Sequence, residues 1–146
     1  MKPYRKFKKF QIRWKERMGE DPNDPYLYRW TFIFFNYSIR IHHWIRSDDD
    51  RHFHDHPWNF MSIILKGKYV NVTPEGKFHV EAISRWKSNA KDKHYLKIPE
   101  GGAWTVLLCG KPFHKWGFYV DGKKYRPLRY FYKFKGTANN KQKEKT

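Results

Sequence analysis

The sequence predicts an all-β protein that folds as one antiparallel barrel or sandwich. Apolar residues recur at every second position in short runs, which is the period of a strand with one buried face. Turn-forming residues separate these runs, so we expect roughly eight to ten short strands and few helices. The chain has 146 residues, a common size for one domain, and its 20% aromatic content suits pleated surfaces.

The chain divides by composition into three segments. Residues 1–25 are basic and aromatic and end at a pair of prolines, residues 26–134 hold the predicted barrel, and residues 135–146 form a Lys-rich tail that we expect to be disordered. The first segment has two interpretations. The spacing of its rings allows a short amphipathic helix near residues 5–17, whereas its run KFQIRW also fits a strand.

The strands of the barrel follow from the alternation, in chain order. The first two are YRWTFIFF and SIRIHHWI, each with an apolar face that would pack on the core. Those faces carry Trp30, Phe32, Phe34, Ile39, Ile41, His43 and Ile45. Next, WNFMSIILKGKYVNVT is apolar on both faces and is interrupted by Gly67, and the turn PEGK leads to FHVEAISRW. The runs HYLKI, AWTVLLC, KWGFYV and LRYFYKF complete the set.

Charge and cysteine content indicate partners and location. The formal net charge is +17, much of it near the termini, which favours nucleic acid or an acidic partner unless it is only a solvated surface. The single cysteine, Cys109, excludes an internal disulfide and is predicted to be buried, so a reducing cytoplasm is expected. No run approaches the roughly 18 apolar residues of a membrane span, and no signal-peptide core is found, so we expect no membrane contact.

A histidine cluster is the main chemical feature. The stretch DRHFHDHPWNF places His52, His54 and His56 at every second position, so they share one face of a strand. Neutral imidazoles bind Fe, Zn, Cu or Ni, and two histidines from one strand supply half of a metal site. We expect His54 and His56 to be ligands and His52 to lie at the strand mouth.

Strand parity selects candidates for a third ligand. His94 shares its face with two apolar residues of HYLKI, and His43 shares its face with two isoleucines, so His94 is the first candidate and His43 the second. A histidine on an apolar face is more often a hydrogen-bonded core residue, which is the alternative for each. Paired cysteines for a zinc finger are absent, and Asp55 directly follows His54 with no histidine at position 53, so the HDH stretch lacks the His-x-acid spacing of a two-histidine, one-carboxylate site.

HDHPWNFMSIILKG resembles the first cupin motif, in which two histidines one residue apart precede a glutamate and then a glycine. His54, His56 and Gly67 match the motif, but Phe60 stands at the position of the glutamate. His94 occupies the approximate place of the histidine in the second cupin motif. The resemblance implies a cupin-type jelly-roll barrel with three histidine ligands and no carboxylate.

The longer string HHWIRSDDDRHFHDHPW, followed by WGFY, is similar to small cysteine-dioxygenase-like cupin proteins of bacteriophages and bacteria. This resemblance covers roughly residues 30 to 120. It implies an Fe(II) centre with open positions for a substrate thiolate and oxygen. It also implies a homodimer, because cupins commonly pair.

Residues around the cluster have proposed supporting roles. Trp58 and Phe60 share the ligands' parity and are expected to line a cavity, while Asp55 faces the other way and is expected to bond to backbone or to a neighbouring base. The loop RSDDDR is interpreted as a solvated turn. Alternatively, an acid there orients a ligand histidine, or Arg46 or Arg51 binds a substrate carboxylate through a fork of hydrogen bonds.

Three functions are compatible with these features. The first is a mononuclear metalloprotein with Fe(II), or with Zn, Ni or Cu, which as an enzyme would be a dioxygenase-like oxidoreductase for a small thiol or other chelating molecule. The second is a non-catalytic cupin module whose basic termini bind nucleic acid or an acidic partner. The third is a protein with a purely structural metal.

Overall fold

The computed structural model describes residues 10–47 and 52–135, and antiparallel strands dominate it. The strands are β1 (Phe10–Met18), β2 (Leu27–Phe34), β3 (Tyr37–Trp44), β4 (Phe53–His54), β5 (Phe60–Thr73), β6 (Gly76–Glu81), β7 (Arg85–Ser88), β8 (Tyr95–Lys97), β9 (Ala103–Cys109), β10 (Phe118–Val120) and β11 (Lys123–Tyr125). A short helix, α1 (Pro127–Tyr130), continues into a π-helical turn, Phe131–Lys135. The predicted all-β class is confirmed.

Two sheets face each other across the interior. The larger has the strand order β1-β2-β3-β9-β5-β6, with β7 and β8 also paired to β5, and the smaller has the order β11-β10-β4. Every strand pair is antiparallel. The described strands do not close into a continuous hydrogen-bonded barrel, so the barrel of the sequence prediction is two curved sheets that meet around a cavity.

The N-terminal segment contains a strand where the sequence left helix and strand open. Residues Phe10–Met18 pair with β2 along their length, apart from a bulge between Arg13 and Glu16. Residues 1–9 and 136–146 lie outside the described residues, so the expected disorder of the Lys-rich tail stays a prediction. No helix in the described ranges is long and apolar enough to cross a membrane.

The last predicted strand, LRYFYKF, is helical instead. Pro127 occupies the first helical turn, where its fixed φ and missing N–H are tolerated. Tyr130 is fully buried and stacks on Phe118 with ring centroids 4.0 Å apart. Tyr130 and Phe131 therefore pack on Phe118 of the small sheet from one side of a helix, which strand alternation alone did not reveal.

The inward faces of β2 and β3 are opposite to those predicted. The buried residues of these strands include Thr31, Ser38 and His42, whereas Trp30 and His43 lie on the outer face and flank the Trp104 ring. The inner face of these two strands carries polar groups that line a cavity, and the outer face is the more apolar one. A rule that points the apolar face inward therefore fails at this sheet.

The apolar core lies at one end of the cavity. Its buried residues are Leu27, Trp44, Ile64, Tyr69, Ile98 and Ala103. The Tyr69 hydroxyl in this cluster accepts a hydrogen bond from the Trp86 indole at 2.6 Å. Burial of the ring is thus compatible with a satisfied hydroxyl.

Gly67 marks the point where β5 changes partners. The first half of β5 pairs with β9 and β7, and the second half pairs with β6 and β8. Gly67 has φ +81°, and a Cβ there would lie 2.3 Å from the carbonyl oxygen of Gly102. The glycine is therefore needed both for its conformation and for the close approach of two backbones.

We predict that Gly67→Ala lowers the free energy of unfolding by about 3 kcal/mol or more, since backbone must move to admit the methyl group. Gly122→Ala is the matched control, because Gly122 has a similar φ of +74° but no atom within 4 Å of its Cβ position. Gly122→Ala should lower the free energy of unfolding by only about 1–2 kcal/mol, the cost of a non-glycine residue in the left-handed conformation. Urea denaturation measures both, and equal losses would refute the role of the close approach.

Candidate metal centre

The three histidines predicted as ligands converge between the two sheets. His54 ends β4, His56 follows it, and His94 immediately precedes β8. Their ligand nitrogens all lie within 4.8 Å of one another. The three residues can therefore hold one metal ion.

Backbone hydrogen bonds place His94 beside the HDH segment. The amide of His54 donates to the carbonyl of His94, and the amide of His94 donates to the carbonyl of His54, both at 3.0 Å. The amide of His56 also donates to the carbonyl of Ala90 at 2.9 Å. This reciprocal pair is a single antiparallel bridge, and it sets the two side chains on the same face.

The spacing of one pair of ring nitrogens suits a shared metal ion. His56 Nε2 and His94 Nε2 are 3.4 Å apart. Two nitrogens that each lie 2.0–2.1 Å from one metal ion, as in zinc sites, are about 3–3.4 Å apart at ordinary coordination angles. This pair thus has the separation that a shared ion requires.

Asn71 orients one of the ligands from behind. His94 Nδ1 donates to the Asn71 side-chain oxygen at 2.8 Å, because the carbonyl oxygen of an amide can only accept. The other nitrogen, Nε2, then carries the lone pair that faces His56. A ligating histidine is typically held in this way through its second nitrogen.

All three imidazoles are neutral near neutral pH. Burial lowers the pKa of His54 to about 4 and lowers the pKa values of His56 and His94 well below their usual range. The neighbouring histidines lower the last two further. Neutral imidazole is the form that binds a metal, so the cluster is prepared for a cation.

Phe60 removes the carboxylate that the cupin motif would supply. Its ring packs edge-on against His56 at 4.7 Å and against Trp86 at 5.2 Å. Only 5% of its surface is exposed. The donor set from the described residues is therefore three neutral nitrogens beside an apolar wall, which suits a first-row divalent metal with open positions.

Asp55 lies between two of the ligands and points away from the cavity. Its carboxylate is fully buried and accepts hydrogen bonds from four groups. The donors are Lys124 Nζ at 2.7 Å, His114 Nε2 at 2.7 Å, the Gly117 amide at 2.7 Å and the Tyr119 hydroxyl at 3.0 Å. Burial alone would raise the pKa of Asp55, but these bonds outweigh it and hold the pKa below the ordinary value.

A cavity of about 440 Å³ opens onto the three histidines. Trp58 and Phe60 lie on its wall, as does Trp116, and its surface is mostly apolar. Its volume is within the about 300–1,000 Å³ of sites for small molecules. A small, largely apolar ligand therefore fits next to the metal ligands.

His43 is not near the cavity. Its ring stacks on Trp104 with centroids 4.1 Å apart, on the outer face of the large sheet. His42 lines the cavity in its place. The prediction of His43 as an additional ligand is therefore corrected. It assumed that the isoleucine face of β3 points inward, whereas in the structure that face is the outer one.

The remaining sequence candidates lie at the margin. His52 Nδ1 is 2.7 Å from the Tyr130 hydroxyl, so this histidine ties the C-terminal helix to β4. Arg46 forms an ion pair with Asp24 at 3.1 Å and is not among the residues that line the cavity. Arg51 and the acids of residues 48–50 fall outside the described residues.

The structure adds three cavity or support residues that the sequence did not single out, namely Arg40, His42 and Asn71. His42 lies on the face of β3 opposite His43, and that face is the inner one. Arg40 alternates with two isoleucines and so resembles a solvent-facing residue. No local signal identifies Asn71, since its partner His94 is 23 residues away.

Comparison with known proteins supports the fold. No protein-family model and no curated protein sequence matches the chain. Among solved structures, FeII HppE superposes with a TM-score of 0.53 at 12% identity, covering 69% of this chain and 56% of that one. A structure reported with the DMSP lyases RdDddP and RnDddQII superposes with a TM-score of 0.53 at 12% identity, covering 64% and 53%.

A third similar structure is hydroxypropylphosphonic acid epoxidase from S. wedmorenis, with a TM-score of 0.51 at 12% identity, covering 69% of this chain and 55% of that one. The chain thus spans little more than half the length of each of these three structures. At this identity the likeness shows the fold alone. The antiparallel architecture fits the cupin fold that the sequence resembles.

We predict that Asp55→Asn lowers the free energy of unfolding by about 2–4 kcal/mol, because a buried carboxylate is lost from beside Lys124 and His114. Asp92→Asn is the control, since Asp92 is exposed and accepts one backbone hydrogen bond, from Asn89 at 2.8 Å. It should change stability by about 1 kcal/mol or less. Urea denaturation compares them, and an Asp55 variant as stable as the Asp92 variant would contradict this role.

Proposed function

We propose that this protein is a mononuclear metalloprotein that holds Fe(II) through His54, His56 and His94 and acts as a dioxygenase-like oxidoreductase on a small thiol. The observation that carries the proposal is the convergence of three neutral, buried imidazoles at the wall of an apolar cavity. Fe(II) held there would supply redox chemistry with O2 and open coordination positions for a chelating substrate.

The donor set favours an anionic ligand at the metal. Three neutral ligands leave the positive charge of a divalent metal uncompensated, so an anionic ligand such as a thiolate is favoured at an open position. The position that carries a glutamate in the cupin motif is filled by Phe60, so no described carboxylate competes there. FeII HppE shares this fold and holds Fe(II), which supports iron as the metal of this chain.

The cavity walls serve to exclude water from the reacting molecule. Trp58, Phe60 and Phe118 line the space beside the histidines. An apolar wall favours the uncharged part of a ligand and strengthens electrostatic interactions within the site. The chain itself thus contributes binding, orientation and a dry environment, while Asn71 holds one ligand in place.

Metal binding tests the first half of this proposal. Anaerobic loading should give one Fe(II) per chain, and alanine at His54, His56 or His94 should remove stoichiometric binding because each deletes one of three donors. Asn71→Ala should weaken affinity about 10–100-fold, as loss of an outer hydrogen-bond partner does. His43→Ala is the matched control and should bind normally. Stoichiometric iron that survives replacement of both His54 and His56 would exclude this site.

Turnover tests the second half. The reaction RSH + O2 → RSO2H oxidises the thiol sulfur to a sulfinic acid and consumes one O2 per thiol. We expect the Fe(II)-loaded protein to convert 3-mercaptopropionate with this stoichiometry, measured by oxygen uptake and by mass spectrometry of the product. His54→Ala should abolish conversion, and His43→Ala should retain it. An iron-loaded protein that oxidises no thiol in a panel of small thiols would contradict the enzymatic proposal.

A further inference from the structure

Three residues of β3 point into the cavity in one row. They are Arg40, His42 and Trp44, which alternate along the strand and all line the cavity wall. The first two are polar groups in a mostly apolar chamber. Neither has a role in holding the three metal ligands, so their presence needs a separate explanation.

Arg40 is a cation without a carboxylate partner among the described residues. Its guanidinium lies over the Trp58 ring at 4.2 Å, and its Nε donates to the Ser38 hydroxyl at 3.4 Å. No ion pair joins it to an acid in the described ranges. Burial lowers the pKa of Arg40 to about 10, so the group stays charged at neutral pH at an energetic cost.

The nearby acid is already bound by a second arginine. Glu16 accepts a hydrogen bond from Arg29 Nε at 3.0 Å, and this ion pair is partly buried. Arg29 faces the same cavity from the neighbouring strand. Glu16 is thus paired with Arg29, and the positive charge of Arg40 has no ion-pair partner among the described residues.

His42 adds an unused hydrogen-bonding group beside Arg40. Only 8% of its surface is exposed, and neither ring nitrogen has a hydrogen-bond partner within the described part of the chain. Burial lowers the pKa of His42 well below its usual range, so the ring is neutral and carries one N–H donor. A buried polar group without a partner is unfavourable unless a ligand or water completes it.

The row lies close to the metal ligands. Trp58, on which Arg40 stacks, is two residues beyond His56, and Arg40 and His56 line the same cavity. A small molecule bound at Arg40 would therefore extend along the wall that carries the histidines. No Asp or Glu is among the described residues that line the cavity, so an ammonium group would find no counter-ion there.

We propose that Arg40 and His42 bind the carboxylate of a small organic acid that has an apolar body and no ammonium group. The substrate class is then an acid or thiol acid, and not a zwitterionic amino acid such as cysteine. As a statement about the substrate of the metal site this depends on the proposed function, but binding of the acid itself requires no metal.

The test uses the metal-free, full-length protein and three probes with the same carbon chain. Hexanoate is the anion, hexanamide is its neutral counterpart, and norleucine is the zwitterion. Isothermal titration at about 0.15 M salt, where surface charges are screened, should show hexanoate binding at least tenfold more tightly than either other probe. Equal affinity for hexanoate and hexanamide would overturn the carboxylate site, and equal affinity for norleucine would overturn the exclusion of ammonium.

Variants separate this site from the general positive charge. Arg40→Gln should weaken hexanoate binding about 10–100-fold, and Arg40→Lys should weaken it less, because lysine keeps the charge but not the fork. Arg85→Gln removes the same charge from an exposed residue of β7 and should leave binding unchanged. A loss as large in Arg85→Gln as in Arg40→Gln would show that bulk charge, not Arg40, attracts the anion.

Arg40→Met controls for misfolding. Because an unpaired buried cation is unfavourable, the methionine variant should melt at the same temperature as the unmodified protein or higher, while it no longer binds hexanoate. A methionine variant that still binds hexanoate normally would overturn the assignment. If the protein binds hexanoate but not iron, the proposed function is refuted and the carboxylate site is supported. If it binds iron but not hexanoate, the carboxylate site is refuted and the iron site is supported.

Discussion

The buried carboxylate of Asp55 determines the direction of the two histidines beside it. Four donors from the segment His114–Lys124 hold this side chain in the wall behind the cavity. Since successive residues of an extended chain point to opposite sides, His54 and His56 must then face the interior. The metal centre therefore depends on a charged hydrogen-bond cluster that makes no contact with the cavity.

The second constraint is non-local and comes from the backbone. The reciprocal hydrogen bonds between His54 and His94 bring the third imidazole to the pair, and Asn71 on β5 then fixes its ring. β5 can reach both halves of the structure because Gly67 allows it to pass close to Gly102. The same strand thus supplies the apolar replacement for a carboxylate, Phe60, and the support for His94.

The polarity of the inner sheet face links the fold to its proposed chemistry. β3 directs Arg40 and His42 into the cavity and leaves its isoleucines on the outer face. Such an arrangement costs stability relative to an apolar interior, because polar groups are removed from water. It is typical of sites where binding takes precedence over packing.

Much of the centre could be predicted from local patterns. His54 and His56 follow from a period of two, and His94 was selected because it shares a face with Leu96 and Ile98. The choice of His43 failed because the alternation SIRIHHWI shows two faces without showing which is inside, and here the polar face is the inner one. Arg40 and Asn71 were missed for a related reason, since their partners are brought near by tertiary structure. The helix that replaces the last predicted strand could not be predicted from alternation, because it depends on the packing of Tyr130 on Phe118.

Anomalous diffraction from crystals of the iron-loaded protein would locate the metal ion. One anomalous peak is expected at about 2.0–2.2 Å from a ring nitrogen of each of His54, His56 and His94, with no protein carboxylate in the coordination sphere. A peak elsewhere in the molecule, or one bound by fewer than these three imidazoles, would contradict it.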